Sequence, residues 1–180
     1  MRVALGLLVV LALAGPAVAQ PAGDDEKAYE AGLKSYLDGD PGSAWFFWIG
    51  PAERGNRDAQ FSIGHLYRAG EGVPADPKTA ADWFARAAAQ GDAHAMLNLA
   101  LMHEQGLGVS RDLALAYAYA ARAGRLLEGE EFERAKIAAA RIAVGFSDGD
   151  PERARRLIID MDRRQPLGTA AAGRNPVPAR

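Results

Sequence analysis

In a chain without cysteine, chemistry would have to come from histidine, serine or carboxylate, and their spacing here does not favour it. The histidines are His65, His94 and His103; the last two stand nine apart, not the four that would bring a zinc pair onto one helical face. Ser62 and His65 lie one helical turn apart, yet nothing orients the imidazole as a base, and no serine has a nucleophile-elbow context. Asp24-Asp25-Glu26 and the acidic stretch from Glu128 to Glu133 read as solvated faces or as favourable charge at a helix start. A pair of them could do acid–base work on a glycan only if burial lifted one pKa. The lack of cysteine excludes disulfides, thiolate metal sites and a lipidated cysteine. No catalytic residue, no metal and no cofactor is expected, and the chain is read as a non-enzyme.

One loop remains, Ala69 to Asp76, where Gly70-Glu71-Gly72 could cradle a phosphate or only turn a corner. Shifting it by 36 residues lays it on Gln105-Gly106-Leu107-Gly108-Val109-Ser110-Arg111-Asp112. The flanks match too: Ala59 with Ala95, Gly64 with Ala100, Ala80 with Ala116, Trp83 with Tyr119, Ala87 with Ala123. A phosphate loop has no reason to recur with its flanks, whereas a structural repeat does. The glycines therefore serve backbone angles that other residues avoid, and Val73 points into a hairpin core.

Each repeat reads as two helices. Ala80, Trp83, Phe84, Ala87 and Ala88 fall on one apolar stripe. Asp76 caps the first turn, Pro77 sits where a missing N–H costs nothing, and Gly91 gives the stop. Asp40-Pro41 and Asp150-Pro151 repeat that start, and Asp112-Leu113 takes its place in the third repeat. The expected first helices are 25–38, 57–69, 93–105 and 130–146; the second helices are 41–54, 77–90, 113–124 and 151–163. No stretch alternates like a strand, so the fold class is all-α: an α-solenoid of about four antiparallel helix hairpins. Small residues (Gly32, Gly64, Ala100; Ala44, Ala80, Ala116) let paired helices cross closely, and bulky Phe47, Trp83 and Tyr119 fill the space one turn on. A single hairpin cannot bury its apolar face alone, so neighbours must stack.

The set Ile63-Gly64, Tyr67, Gly70-x-Gly72-Val73, Asp76, Ala80, Trp83, Ala87-Ala88 and Gly91 resembles the Sel1-like repeat family, a branch of the tetratricopeptide-repeat superfamily. The third unit departs at Ala100 and Tyr119, the first lacks the G-x-G-V insertion, and the fourth keeps helical stripes but loses the glycine signature. The units divide at about 25–55, 56–91, 92–129 and 130–164. The resemblance implies a superhelix whose first helices line a concave groove that takes a protein or peptide. Its groove positions are Tyr29, Leu33 and Tyr36 in unit one, Asp58, Phe61, His65 and Arg68 in unit two, and His94, Leu97, Leu101 and Glu104 in unit three. Similar proteins act as scaffolds or as regulators of a membrane sensor.

Beside the groove, "WFFW" at 45–48 is the densest aromatic run. Phe47 and Trp48 are placed inward; Trp45, Phe46 and Ile49 either pack on the neighbouring helix or form an exposed docking patch.

The ends carry address information. Arg2, an apolar run from Val3 to Ala14, Gly15-Pro16 and Ala17-Val18-Ala19 read as a signal peptide over 1–19. That predicts a periplasmic or secreted protein with a flexible N-terminus at 20–24 and a disordered tail at 165–180. A net charge of −2 without a basic block argues against nucleic acid, and no later segment suits membrane insertion. The partner expected is a protein or peptide, with a membrane sensor or cell-wall-associated protein as examples. The alternative is a cell-wall glycan binder or glycan-acting enzyme, with Trp45 and the groove tyrosines stacked on sugar rings.

Overall fold

The computed structural model describes residues 22–166. The expected signal segment lies outside the described residues, as does the tail from 167; residues 22–24, expected to be flexible, are helical, and Gln165, expected in the disordered tail, accepts a bond from Arg122 through its backbone carbonyl. Within them the chain forms eight helices: α1 (Ala22–Leu37), α2 (Pro41–Glu53), α3 (Arg57–Ala69), α4 (Pro77–Ala88), α5 (Ala93–Gln105), α6 (Leu113–Gly124), α7 (Gly129–Val144) and α8 (Asp150–Arg164). None of them is long and apolar enough to cross a membrane.

Local chemistry sets the starts. The Asp76 carboxylate accepts from the backbone N–H of Lys78 at 3.0 Å and of Thr79 at 3.2 Å. Asp40, Asn56, Asp92 and Asp112 cap α2, α3, α5 and α6 by accepting from Ser43, Ala59, Ala95 and Leu115. Each cap satisfies an N–H that the helix itself leaves unpaired. The Asp150-Pro151 start departs from this pattern. Asp150 is itself helical, and its carboxylate holds the Ser147 N–H at 2.8 Å and hydroxyl at 2.7 Å instead of capping α8.

Pairing follows the small-against-large logic. A Cβ on Gly64 would lie 2.8 Å from the Phe84 ring, so α3 and α4 touch where only glycine fits. Gly32 has the same relation to Trp48, which is fully buried and donates its Nε1–H to the Tyr29 carbonyl at 2.9 Å. Trp48 fills the first hairpin so completely that Phe47, expected inward, is displaced to the rim. It is 37% exposed there, edge-on to Phe46.

The units then latch together. Gly72 has φ +71°, and a Cβ there would fall 2.5 Å from the Pro41 carbonyl carbon. Gly108 repeats the arrangement against Pro77, with φ +69°. The loop of each inserted unit thus sits on the start of the second helix of the unit before it. Val73 and Val109 follow into the core as expected. Glutamines stitch the opposite rim: Gln60 donates to the Ala52 carbonyl at 3.0 Å, and Gln90 donates to Gln60 Oε1 at 2.8 Å and to the Gly55 carbonyl at 3.0 Å.

One apolar core runs through the first three units, and Ala100, Ala116, Ala120 and Ile142 continue it onto α7. Helices α1 and α2, α3 and α4, and α5 and α6 pair, and each pair packs on the next. At the end the order loosens, because α7 and α8 both lean on α6.

Candidate interaction surfaces

The first-helix wall is the surface to which sequence assigned binding, and its residues divide by depth. Tyr29, Tyr36 and Phe61, placed in the groove, are core residues, each no more than 3% exposed. Their rings point into the hairpins: Tyr29 and Tyr36 pack on Trp48 with centroids 6.1 and 5.9 Å away, and Phe61 on Phe84 at 5.7 Å. Leu33, Asp58, His65, His94, Leu97, Leu101 and Glu104 are half-buried, and Arg68 is exposed. Of these, His65, His94 and Glu104 meet a neighbouring first helix. Tyr36 meets His65 edge-on at 6.3 Å, Phe61 meets His94 at 6.0 Å, and Glu104 accepts two bonds from Arg141, at 2.9 and 2.6 Å. The Tyr36 hydroxyl also donates to Glu71 at 2.8 Å, tying unit one to the loop of unit two.

The wall's titrating groups are tuned by depth. Burial holds the His65 imidazole below its ordinary pKa, with the Arg68 charge adding to the effect and Glu71 opposing it. Asp92, capping α5, is pushed up by burial above the usual carboxylate range, against the Ala95 N–H bond and the charges of His94 and Arg57. Its second carboxylate oxygen is buried without a partner.

The Ser62 hydroxyl donates to the Asp58 carbonyl at 2.9 Å, which ties it to its own helix and away from His65. His103 lies against the Ser110 carbonyl at 3.1 Å and stacks on Tyr119. Among the described residues no group of three or more histidines or carboxylates is placed to hold a metal. The Gly70-Glu71-Gly72 loop leaves no cradle, because its second glycine lies against the Pro41 backbone.

Of the aromatic patch, Phe46 is 72% exposed, while Trp45 and Ile49 are half-buried and pack against the core. A second surface was missed in the sequence. Arg122, on α6, is only 2% exposed; it reaches Asp162 of α8 at 2.6 Å and also donates to the Gln165 backbone carbonyl. Asp162 takes a second bond from Arg125 at 2.6 Å, and Arg153 grips the Asp112 carboxylate at 2.9 and 2.5 Å. The available signal was an arginine set among alanines in the buried stripe of α6, which required a carboxylate from elsewhere.

The Sel1 repeat model matches residues 57–92 and 93–126, which are units two and three. Two Arabidopsis thaliana proteins, the ERAD-associated E3 ubiquitin-protein ligase components HRD3A and HRD3B, are 42% and 41% identical over 72 residues. Those residues are 40% of this chain but only 11% and 12% of the relatives, so the chain spans little of their length. A protective antigen of uropathogenic Escherichia coli strains, displaying an SLR fold, superposes with a TM-score of 0.72 at 23% identity; the match covers 79% of this chain and 30% of that one. A Sel1 repeat protein from Oxalobacter formigenes superposes with a TM-score of 0.56 at 30% identity, covering 64% of this chain and 90% of the other. The G-x-G loops latched onto the preceding helix, the small-against-large pairing and these matches lead to one conclusion: the chain belongs to the Sel1 repeat family.

Proposed function

We propose that this chain is an exported protein-interaction module, an adaptor, scaffold or regulator, and that the first-helix wall is its contact surface. The supporting observation is a contrast between positions within the repeat. Where units touch, the residues keep one kind of chemistry: glycine at 72 and 108, and Gly64 or Ala100 under a second helix. Along the wall, equivalent positions differ from unit to unit: Leu33, His65 and Leu101 at one rank, Arg68 and Glu104 at the next. An unvarying frame carrying a varied face suits recognition of an extended or helical segment. The two plant relatives, being ligase components, are consistent with that use. Export rests on the apolar segment before Gln20 and its small-residue end.

The glycan alternative has less to stand on. Tyr29 and Tyr36, which were to stack on sugars, are buried, and Trp45 is half-buried with its indole nitrogen covered.

The test is co-purification with tagged protein from its own cell. A specific companion should be lost in Arg68→Glu while the melting temperature stays unchanged. Retention of the same companion by Arg68→Glu and by Leu101→Glu would count against the wall.

A further inference from the structure

In the first three pairs each second helix lies on its own first helix, and in the first two a bulky ring from the second fills a gap over a glycine of the first. Trp48 stands over Gly32, and Phe84 over Gly64. The fourth pair departs from this. Helix α8 lies along α6, held by Arg153 to Asp112 and by Asp162 to Arg122 and Arg125. Helix α7 packs on α6 through Ala135 and Ile142, and the flank where a second helix would rest is open.

A groove of about 380 Å³ runs there between α6 and α7. Ala121 and Gly124 on one side face Ala139 and Ala140 on the other, so small side chains line both walls. Tyr117 stands toward one end and Phe132 at the other. The charged side chains lining it, Arg125 and Lys136, are both cations, and no carboxylate lines it. Arg125 shares its one carboxylate, Asp162, with Arg122, and Lys136 reaches Glu133 only at 3.5 Å in the open. Beyond the groove α7 exposes Ile137 at 64% and Val144 at 88%.

We propose that this groove seats one amphipathic helix from a partner protein, which completes the fourth hairpin in trans. The fit defines that helix. Small residues on both walls let its axis approach closely, so it presents a large apolar side chain, as Trp48 and Phe84 do within the chain. Two cations without a lining carboxylate call for acidic residues beside that stripe, at the end facing Arg125 and Lys136. This surface is separate from the first-helix wall, so either can fail without the other.

The test uses the purified protein and an 18-residue fluorescent helical peptide with a leucine–phenylalanine stripe, flanked by glutamates or by lysines. Anisotropy should show saturable binding of the glutamate form at least tenfold tighter than the lysine form. Lys136→Glu should weaken it several-fold, and Ala140→Trp, which fills the groove from an exposed position, should abolish it. Both variants should keep the wild-type circular dichroism and melting temperature, and Arg68→Glu on the wall should bind the peptide normally. Equal affinity for both peptides, or undiminished binding to Ala140→Trp, would overturn the proposal. So would a concentration-dependent dimer that Ala140→Trp dissolves, since the occupant would then be a second copy. Tighter peptide binding after cleavage behind Pro166 would also overturn it, by assigning the groove to the chain's own end.

Discussion

At the residue scale, glycines and one aspartate carry the sharpest expectations. Gly39 and Gly72 both adopt positive φ, +86° and +71°, but a Cβ on Gly39 would meet nothing within 4 Å. Gly39→Ala should therefore cost only the left-handed backbone penalty, about 1 kcal/mol. Gly72→Ala adds a collision with the Pro41 backbone and should cost at least about 2 kcal/mol more by urea unfolding, since packed backbone has nowhere to move. Equal losses would deny the latch. Asp92 predicts a pH effect. Its folded pKa is raised, so the native state holds this proton more tightly than the unfolded chain does. The stabilisation is full below the unfolded value near 3.9 and is lost as pH rises through the raised one. Asp92→Asn keeps the cap and removes the titration. Its unfolding midpoint should gain on wild type between pH 4 and pH 7, and parallel curves would be the contrary result. His65 works oppositely: its folded pKa is lowered, so its contribution is full above about 6.5 and is lost as pH falls. The latch glycines were legible in the sequence as backbone glycines, because a turn needs positive φ. Their contact with the preceding unit was not, since it joins Gly72 to Pro41 through the packing of two separate hairpins.

Elements were the most legible level, because Asp-Pro starts and glycine stops are local chemistry that tertiary packing did not overrule. The helices from α2 to α6 begin where their capping residues stand. Which face of a first helix is covered was less legible. Tyr29, Tyr36 and Phe61 satisfy the spacing of a groove, yet Trp48 and Phe84 draw their rings inward. Trp48→Ala should accordingly cost about 3–5 kcal/mol, a buried-ring truncation, and a loss under about 1 kcal/mol would contradict its place in the first hairpin. The position of α8 was beyond reach, since its anchors join residues 40 and 41 apart in sequence. Only Ala154 of α8 is buried, so charge pairing to Asp112, Arg122 and Arg125 holds it. Asp162→Ala leaves the Arg122 guanidinium buried without its carboxylate, and α8 should open to relieve it. Hydrogen exchange should show α8 amides losing protection while α1 to α4 keep theirs. Unchanged protection in α8 would refute the anchor.

For the whole molecule, stacked units lock by backbone contact, and the first helices present the chemically varied wall proposed to meet another protein. The decisive measurement is crosslinking in the living cell from a photoreactive amino acid at Arg68, on that wall, and at Asp82, exposed on the second helix of the same unit. A contact wall yields a discrete adduct from position 68, absent from position 82 and lost when Leu101→Glu is introduced. The same smear of abundant proteins from both positions would contradict it.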